Sequence, residues 1–129
     1  MNPPRLVPAA IVRFSTTALC VAVARTAEEQ ERGLMDRDDL DGCDGMLFVF
    51  DEPDRYAFWM QGVRMPLDVT WLDRRRRIVA LAENLLPCEA PPCPEYAPPA
   101  PARYVLEVPA GVLRDVGVRI GAVATIEWL

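Results

Sequence analysis

Short apolar runs, each bounded by turn-forming residues, dominate the chain. Leu67–Leu72 and Ile78–Leu85 flank Asp73 and four arginines, which is the pattern of two strands joined by a turn. The same pattern predicts further strands over residues 6–14, 18–24, 46–50, 55–60, 103–108 and 123–129. About seven or eight strands at regular spacing indicate a mainly β fold, either an antiparallel β-sandwich or a partly closed barrel.

Two short helices interrupt the strands. Thr26 is predicted to cap a helix and Glu29 to reach back to the Thr26 amide, while Gly33 supplies a left-handed stop. Residues 111–117 predict a single further helical turn. At 129 residues the chain fits one domain, with residues 1–17 as an N-terminal strand and turn region and 18–129 as a single β-rich domain.

A proline-rich segment over residues 87–101 contains seven of the 13 prolines, too many for a regular strand ladder. It also contains Cys88 and Cys93, five residues apart. Three states remain open for this pair: a disulfide that staples the loop, two reduced thiols, or a metal site, for which zinc-type spacing is missing. Of the other two cysteines, Cys20 is expected to be buried in a strand and Cys43 to be more exposed in a turn.

Composition removes several classes of chemistry. All 14 basic residues are Arg, and the chain has neither Lys nor His, so the usual neutral-pH base and the commonest metal ligand are missing. Any catalysis would depend on carboxylates, Cys, Tyr or Arg. We therefore expect no cofactor and no metal, and the sequence leans away from an enzyme without deciding the question. A net charge of −5 argues against nucleic-acid binding.

The first 24 residues are apolar with an early Arg5, which superficially resembles an export signal. Arg13 and residues 15–17 (STT) split this region into pieces too short for that role, so a strand is the preferred interpretation. No apolar run approaches the roughly 18 residues of a membrane span. The cytoplasm is the expected compartment, and export is the alternative if the sequence is part of a longer chain.

A series of ordered motifs carries a family resemblance: residues 31–37 (ERGLMDR), 45–50 (GMLFVF), 58–60 (FWM), 66–68 (PLD), the Cys88 to Cys93 loop and 104–107 (YVLE). Over residues 21–129 the chain resembles the bacterial and archaeal domain of unknown function family 192. The resemblance implies a mainly β, jelly-roll-like topology, with no established activity, cofactor or catalytic residue. Many relatives read FWMKNT where residues 58–63 here read FWMQGV.

Two carboxyl groups lie within strongly apolar strands. Asp68 follows Leu67, and Glu107 follows Leu106. Burying an unpaired carboxylate in such a strand costs on the order of several kcal/mol of folding free energy. Each of these carboxyls therefore needs a hydrogen-bonding partner or a cavity. Asp68 is interpreted first as a polar anchor for its strand. If both carboxyls line one pocket, they form a general acid/base pair, the catalytic constellation that the composition still permits.

Arginines and a tryptophan are the remaining candidates. Arg37 is a candidate ligand-binding residue that presents a planar fork to an anion, with an internal salt bridge as the alternative. Trp59 is a candidate pocket wall, with core packing as the alternative. A basic run (Arg74, Arg75, Arg76, Arg77) is interpreted as a solvated hairpin tip, and contact with an anion or anionic lipid is the competing interpretation.

Three functions remain open from the sequence. The first is a non-catalytic module that binds a small ligand or interacts with another protein, using Arg37, Trp59 and Asp68. The second is a carboxylate-based hydrolase or isomerase using Asp68 and Glu107. The third is a purely structural or assembly domain, for which a large exposed apolar patch is expected.

Overall fold

Residues 2–129 of the computed structural model form a mainly β single domain with nine strands and two short helices. Met1, the first residue of the expected N-terminal region 1–17, lies outside the described residues. In chain order the elements are β1 (Ala10–Phe14), β2 (Thr17–Ala24), α1 (Ala27–Arg32), β3 (Gly45–Asp54), β4 (Phe58–Trp59), β5 (Leu67–Leu72), β6 (Ile78–Leu85), β7 (Glu95–Tyr96), β8 (Ala102–Pro109), α2 (Val112–Val116) and β9 (Thr125–Trp128).

Seven of the strands form one mixed sheet in the order β6-β5-β8-β3-β2-β1-β9, and β4 pairs with β7 in a second, two-stranded sheet. The β2–β3 pair is parallel, whereas the other pairs are antiparallel. A parallel pair needs a crossover connection, and here α1 and residues 33–44 provide it. The expectation of a purely antiparallel sheet was therefore wrong at this pair.

The large sheet has a hydrophobic cluster on each face. Alternation along β5 sends Leu67, Val69 and Trp71 to one cluster and Leu72 to the other, so all six residues of this strand are buried. The first cluster also contains Leu34 and other residues from the crossover and from residues 60–63, whereas the second contains Leu113 from α2. Burial on both faces explains why four of the six residues are apolar and why the other two, Asp68 and Thr70, make hydrogen bonds.

The two ends of the large sheet approach each other. The Ile78 amide of β6 donates to the Ala122 carbonyl at 2.8 Å, and the Gly121 amide donates to the Ile78 carbonyl at 2.8 Å. Arg77 and Val123 form an isolated antiparallel bridge beside them. No closed barrel is found among residues 2–129, and no helix in that range is long and apolar enough to cross a membrane.

The predicted mainly β class and the two short helices are confirmed, and β5 and β6 have the predicted bounds. The strand expected over residues 55–60 is reduced to Phe58–Trp59, because the Tyr56 carbonyl accepts a hydrogen bond from the Trp71 indole at 3.0 Å. The predicted burial of the two free cysteines was wrong for both. Cys43 is buried in the first cluster, and Cys20 is partly exposed.

The predicted capping box of α1 is present. The Glu29 amide donates to the Thr26 hydroxyl at 3.1 Å, and the Glu29 carboxylate accepts from the Thr26 amide at 3.0 Å. Gly33 ends the helix at φ 50° and ψ −129°, which is outside the left-handed helical region that the sequence suggested. Such positive-φ backbone favours glycine, and it turns the chain sharply toward the sheet.

Gly45 is where β3 enters the centre of the sheet, and it has no room for a side chain. A Cβ atom there would lie 2.2 Å from the Glu107 backbone oxygen and 2.8 Å from Val108 Cγ1. We expect Gly45→Ala to lower the free energy of unfolding by about 3 kcal/mol or more, because the central β3–β8 ladder must move to relieve this contact. Urea denaturation measures the change.

Gly42→Ala is the matched control, since nothing lies within 4 Å of its added Cβ and only its positive φ is unfavourable. This control should lose roughly 1–2 kcal/mol. A Gly45→Ala protein no less stable than the Gly42→Ala protein would contradict the close approach of β3 to β8.

Candidate functional site

Glu107 lies in the middle of the sheet, on β8 between β3 and β5. It is opposite Met46 on one side and Val69 on the other, and directly opposed residues share a face of the sheet. Both neighbours belong to the first hydrophobic cluster. The fold therefore places a carboxyl group in apolar surroundings, and only 4% of the Glu107 surface is exposed.

A cavity of about 290 Å³ opens above this carboxyl, and we call it the aromatic cavity. Its volume is close to the lower end of the range for small-molecule sites. Glu107 lines the cavity together with residues from the end of α1, from β3 and from the segment leading into β4. The aromatic members of the lining are Phe48, Phe50, Tyr56, Phe58 and Trp59, and the polar ones at the helix are Gln30, Glu31 and Arg32.

The aromatic wall is held by contacts between its own rings. Phe48 and Phe58 meet edge to face at a centroid distance of 4.9 Å, and Phe50 stacks on Tyr56 at 3.6 Å. Trp71 also packs edge-on against Phe58 at 6.3 Å. Each such pair contributes about 0.5–1.5 kcal/mol beyond area burial, so the wall is largely preformed.

The helical side of the cavity is fixed by polar contacts. The Gln30 amide group donates to the Val49 carbonyl at 2.8 Å and to the Ala24 carbonyl at 3.3 Å, which ties α1 to β2 and β3. Arg32 is paired with Glu28 at 3.0 Å. The Tyr56 hydroxyl donates to the Glu52 carbonyl. Gln30 and Tyr56 thus direct side-chain donors at carbonyls of the protein, whereas Arg32 pairs with the exposed Glu28 through one guanidinium nitrogen.

The Glu107 carboxyl, by contrast, has no hydrogen bond and no ion pair within residues 2–129. Burial raises the pKa of Glu107 from its ordinary 4.5 to about 8. The carboxyl is consequently protonated at neutral pH, because the apolar surroundings disfavour its charged form. A neutral acid in a cavity can donate a hydrogen bond, whereas its anion would need a positively charged partner.

Asp68 faces the opposite side of the sheet. It lies across from Val108, a member of the second cluster, and it accepts three backbone hydrogen bonds: from Asn84 at 2.8 Å, Gly111 at 2.8 Å and Leu113 at 3.3 Å. Its carboxylate therefore anchors the start of α2 and the end of β6. It borders a separate cavity of about 440 Å³, which Glu107 does not line.

The structure does not bring the two candidate carboxyls together. Consecutive residues alternate between faces, so Asp68 and the opposed pair Val69 and Glu107 project on opposite sides of the sheet. The convergence that a general acid/base pair requires is not present in this geometry.

The other ligand-binding candidates are also separated. Trp59 is half exposed and lines the aromatic cavity with Glu107. Arg37 lies at a second cavity of about 340 Å³, together with Arg5 and Arg32. Its Nη1 is 3.7 Å from Asp41 Oδ2, its Nε has no hydrogen-bond partner among residues 2–129, and burial lowers the pKa of its guanidinium.

The cysteine pair and the arginine run lie outside the aromatic cavity. The Cys88 and Cys93 sulfurs are 2.11 Å apart, at disulfide distance. Arg74 and Arg75 are exposed at the β5–β6 turn, where Asp73 accepts backbone hydrogen bonds, whereas Arg76 is partly buried over the Tyr104 ring at 5.6 Å. No group of three or more Cys, Asp or Glu residues suited to a metal ion is found in the described range.

Sequence reasoning missed Phe50, Tyr56 and Gln30 as cavity residues. Tyr56 and Phe58 are two positions apart, a spacing that gives a shared face, and that signal was available. Gln30 gave no comparable signal, because its role depends on two carbonyls, Ala24 and Val49, that come together only in the folded chain.

The fold and the site define a single-domain, mainly β protein with an aromatic-walled cavity over a buried carboxyl. Residues 10–126 match the family model described as Uncharacterized ACR, domain of unknown function family 192 (DUF192). The chain belongs to this family. A search of curated proteins finds no match.

Two solved structures are similar to the chain over nearly its whole length. A protein of unknown function from Novosphingobium aromaticivorans DSM 12444 is 30% identical, with a TM-score of 0.79, over 95% of this chain and 85% of that one. A protein from Sinorhizobium meliloti 1021, described as a "putative transcription regulator", is 27% identical, with a TM-score of 0.81, over 98% of each chain.

The buried Glu107 carboxyl predicts a specific pH dependence of stability. Between pH 4.5 and pH 8 the unfolded chain has released this proton and the folded chain retains it. The folded state then binds more protons, so the free energy of unfolding falls as pH rises, by roughly 5 kcal/mol across the window. Glu107→Gln removes this contribution.

Denaturant unfolding of the unmodified protein and of Glu107→Gln at several pH values isolates the contribution of Glu107. The other carboxylates contribute equally to both proteins, so they cancel when the two free energies of unfolding are subtracted. The stability of Glu107→Gln relative to the unmodified protein should rise steadily from pH 4.5 to pH 8. A difference that stays constant over this window would show that Glu107 titrates normally.

Because Asp68 serves as an anchor, we expect its removal to lower the stability of the fold. Asp68→Ala leaves three backbone amides without their acceptor, and we expect the free energy of unfolding to fall by about 3 kcal/mol. Asp115→Ala, an exposed carboxylate beside the same cavity, is the control and should change stability by about 0.5 kcal/mol or less. Equal effects of the two substitutions would disprove the anchoring role.

Proposed function

We propose that this protein is a non-catalytic small-ligand-binding module whose site is the aromatic cavity. One observation carries the proposal: Glu107 is a nearly fully buried carboxyl that lines a cavity and has no internal partner within residues 2–129. Leaving such a group unsatisfied costs about 1–3 kcal/mol, and a bound ligand that pairs with it recovers that free energy.

The wall of the cavity supports the same function. Ligand pockets combine apolar and aromatic lining with a few polar groups that fix orientation, and here five aromatic side chains surround one buried acid. Trp59 lines the cavity and is half exposed, so a ligand can contact it without a large rearrangement. A partly closed, jelly-roll-like form of the sheet, as predicted from the sequence, would keep this wall rigid, and the hydrogen bonds of Ile78 with Gly121 and Ala122 support that form.

A carboxylate-based hydrolase or isomerase is the competing function. Glu107 is protonated at neutral pH, as a general acid must be, but Asp68 is committed to three backbone amides on the other face. An enzyme would have to use Glu107 without Asp68. The binding function needs no second carboxylate, and we favour it for that reason.

DNA binding receives less support. The description of the Sinorhizobium meliloti protein suggests it, and Arg74 to Arg77 are the most concentrated basic residues in the sequence. However, the net charge is −5, and Arg76 lies over Tyr104 with its Nε buried. Such a patch suits an occasional anion contact better than the many phosphate contacts of a DNA duplex.

A fragment screen by protein-observed NMR tests the proposed site. We expect hits to shift resonances of residues that line the aromatic cavity, and Trp59→Ala to weaken those hits by about tenfold, since an aromatic anchor is lost. Trp128→Ala is the matched control, because Trp128 has a similar exposure, 41%, but lies on β9 outside the cavity. Hits that map elsewhere, or equal effects of the two substitutions, would refute the site.

A further inference from the structure

We propose that the ligand of the aromatic cavity is a small organic cation, an alkylammonium group seated against the aromatic faces and neutralised by the Glu107 carboxylate. This inference rests on the proposed function, and it adds the chemical class of the ligand. It is carried by three features of the cavity: its ring faces, its unpaired acid, and the engagement of its side-chain donors.

The ring faces favour a cation. The lining contains five aromatic side chains, and the face of each ring carries negative potential that attracts ammonium groups. The Phe48–Phe58 and Phe50–Tyr56 contacts hold four of these rings in fixed relative positions. Aromatic side chains grouped around one cavity recognise quaternary ammonium ions in other proteins through their ring faces, and the stack of Phe50 on Tyr56 leaves one face of each ring for such a contact.

The polar groups of the cavity favour a cation over an anion once Glu107 is ionised. Gln30 and Tyr56 direct their side-chain donors at protein carbonyls, and Arg32 pairs with Glu28 through Nη2. The acceptor Glu107 has no partner among residues 2–129, and Glu31 adds a second acid to the lining. When Glu107 is ionised, a ligand that brings positive charge complements this site, whereas a carboxylate or phosphate would be repelled by the Glu107 carboxylate.

Binding of a cation must be linked to a proton. Glu107 carries a proton at neutral pH, so an alkylammonium ion that pairs with its carboxylate displaces that proton to solvent. The other ionisable groups in the lining are Glu31 and Arg32 at the end of α1 and Tyr56 before β4. Burial raises the pKa of Tyr56, so its hydroxyl stays protonated over the same range.

Choline and 3,3-dimethylbutan-1-ol form a decisive pair of probes, because they share shape and differ in charge. The full chain is titrated with each by NMR at pH values from about 6 to 7.5. We expect choline affinity to rise by nearly tenfold per pH unit, since one proton is released, and the neutral alcohol to bind at least about tenfold more weakly at the upper pH.

Two variants assign the effect to the cavity. Glu107→Gln should weaken choline by at least about tenfold and abolish the pH dependence. Trp59→Ala changes a half-exposed residue, so it should fold normally, and it should weaken choline by roughly 2- to 30-fold. Trp128→Ala should leave choline affinity unchanged.

The outcomes separate the cation inference from the proposed function. If the neutral alcohol binds as tightly as choline and both respond to Trp59→Ala, the cavity is a small-ligand site but the cation inference is wrong. If choline produces no shift of cavity resonances while fragments still do, the cation inference is again overturned and the proposed function stands. If fragments fail as well, both are overturned.

Discussion

The burial of the Glu107 carboxyl is the constraint on which the site depends. The sheet holds Glu107 between β3 and β5, opposite Met46 and Val69, so the side chain enters the apolar face whatever its charge. Gly45 enforces this position, because its lack of a side chain lets β3 approach the Glu107 backbone. The protein accommodates an acid there by keeping it protonated and by leaving a cavity above it.

Asp68 and Glu107 are buried carboxyls on adjacent strands, and their different surroundings give them different roles. Asp68 is satisfied by three backbone amides and so serves the fold, holding α2 and the end of β6. Glu107 is not satisfied within the described chain and faces a cavity, so it is available to a ligand. The alternation of side chains along β5 and β8 produces this division, since Asp68 and Glu107 project to opposite faces.

The sequence was sufficient for the class of fold and for several elements, and insufficient for the site. Leu67–Leu72, Ile78–Leu85 and the Thr26–Glu29 cap depend on local patterning, and they were predicted. The parallel β2–β3 pair and the approach of the two ends of the sheet depend on long-range contacts that leave no local signal. The same is true of the cavity, which Gln30 and Glu107 both line although they are far apart in sequence.

If Glu107 is a neutral buried acid that lines a cavity, its carboxyl must titrate far above the ordinary range, and NMR can follow that titration. In protein labelled with ¹³C at the glutamate carboxyl, the resonance of Glu107 can be assigned by its loss in Glu107→Gln and followed with pH. We expect a titration midpoint of about 8. A midpoint close to the ordinary value of 4.5 would show that the carboxyl is solvated or paired, and that Glu107 is not a neutral buried acid.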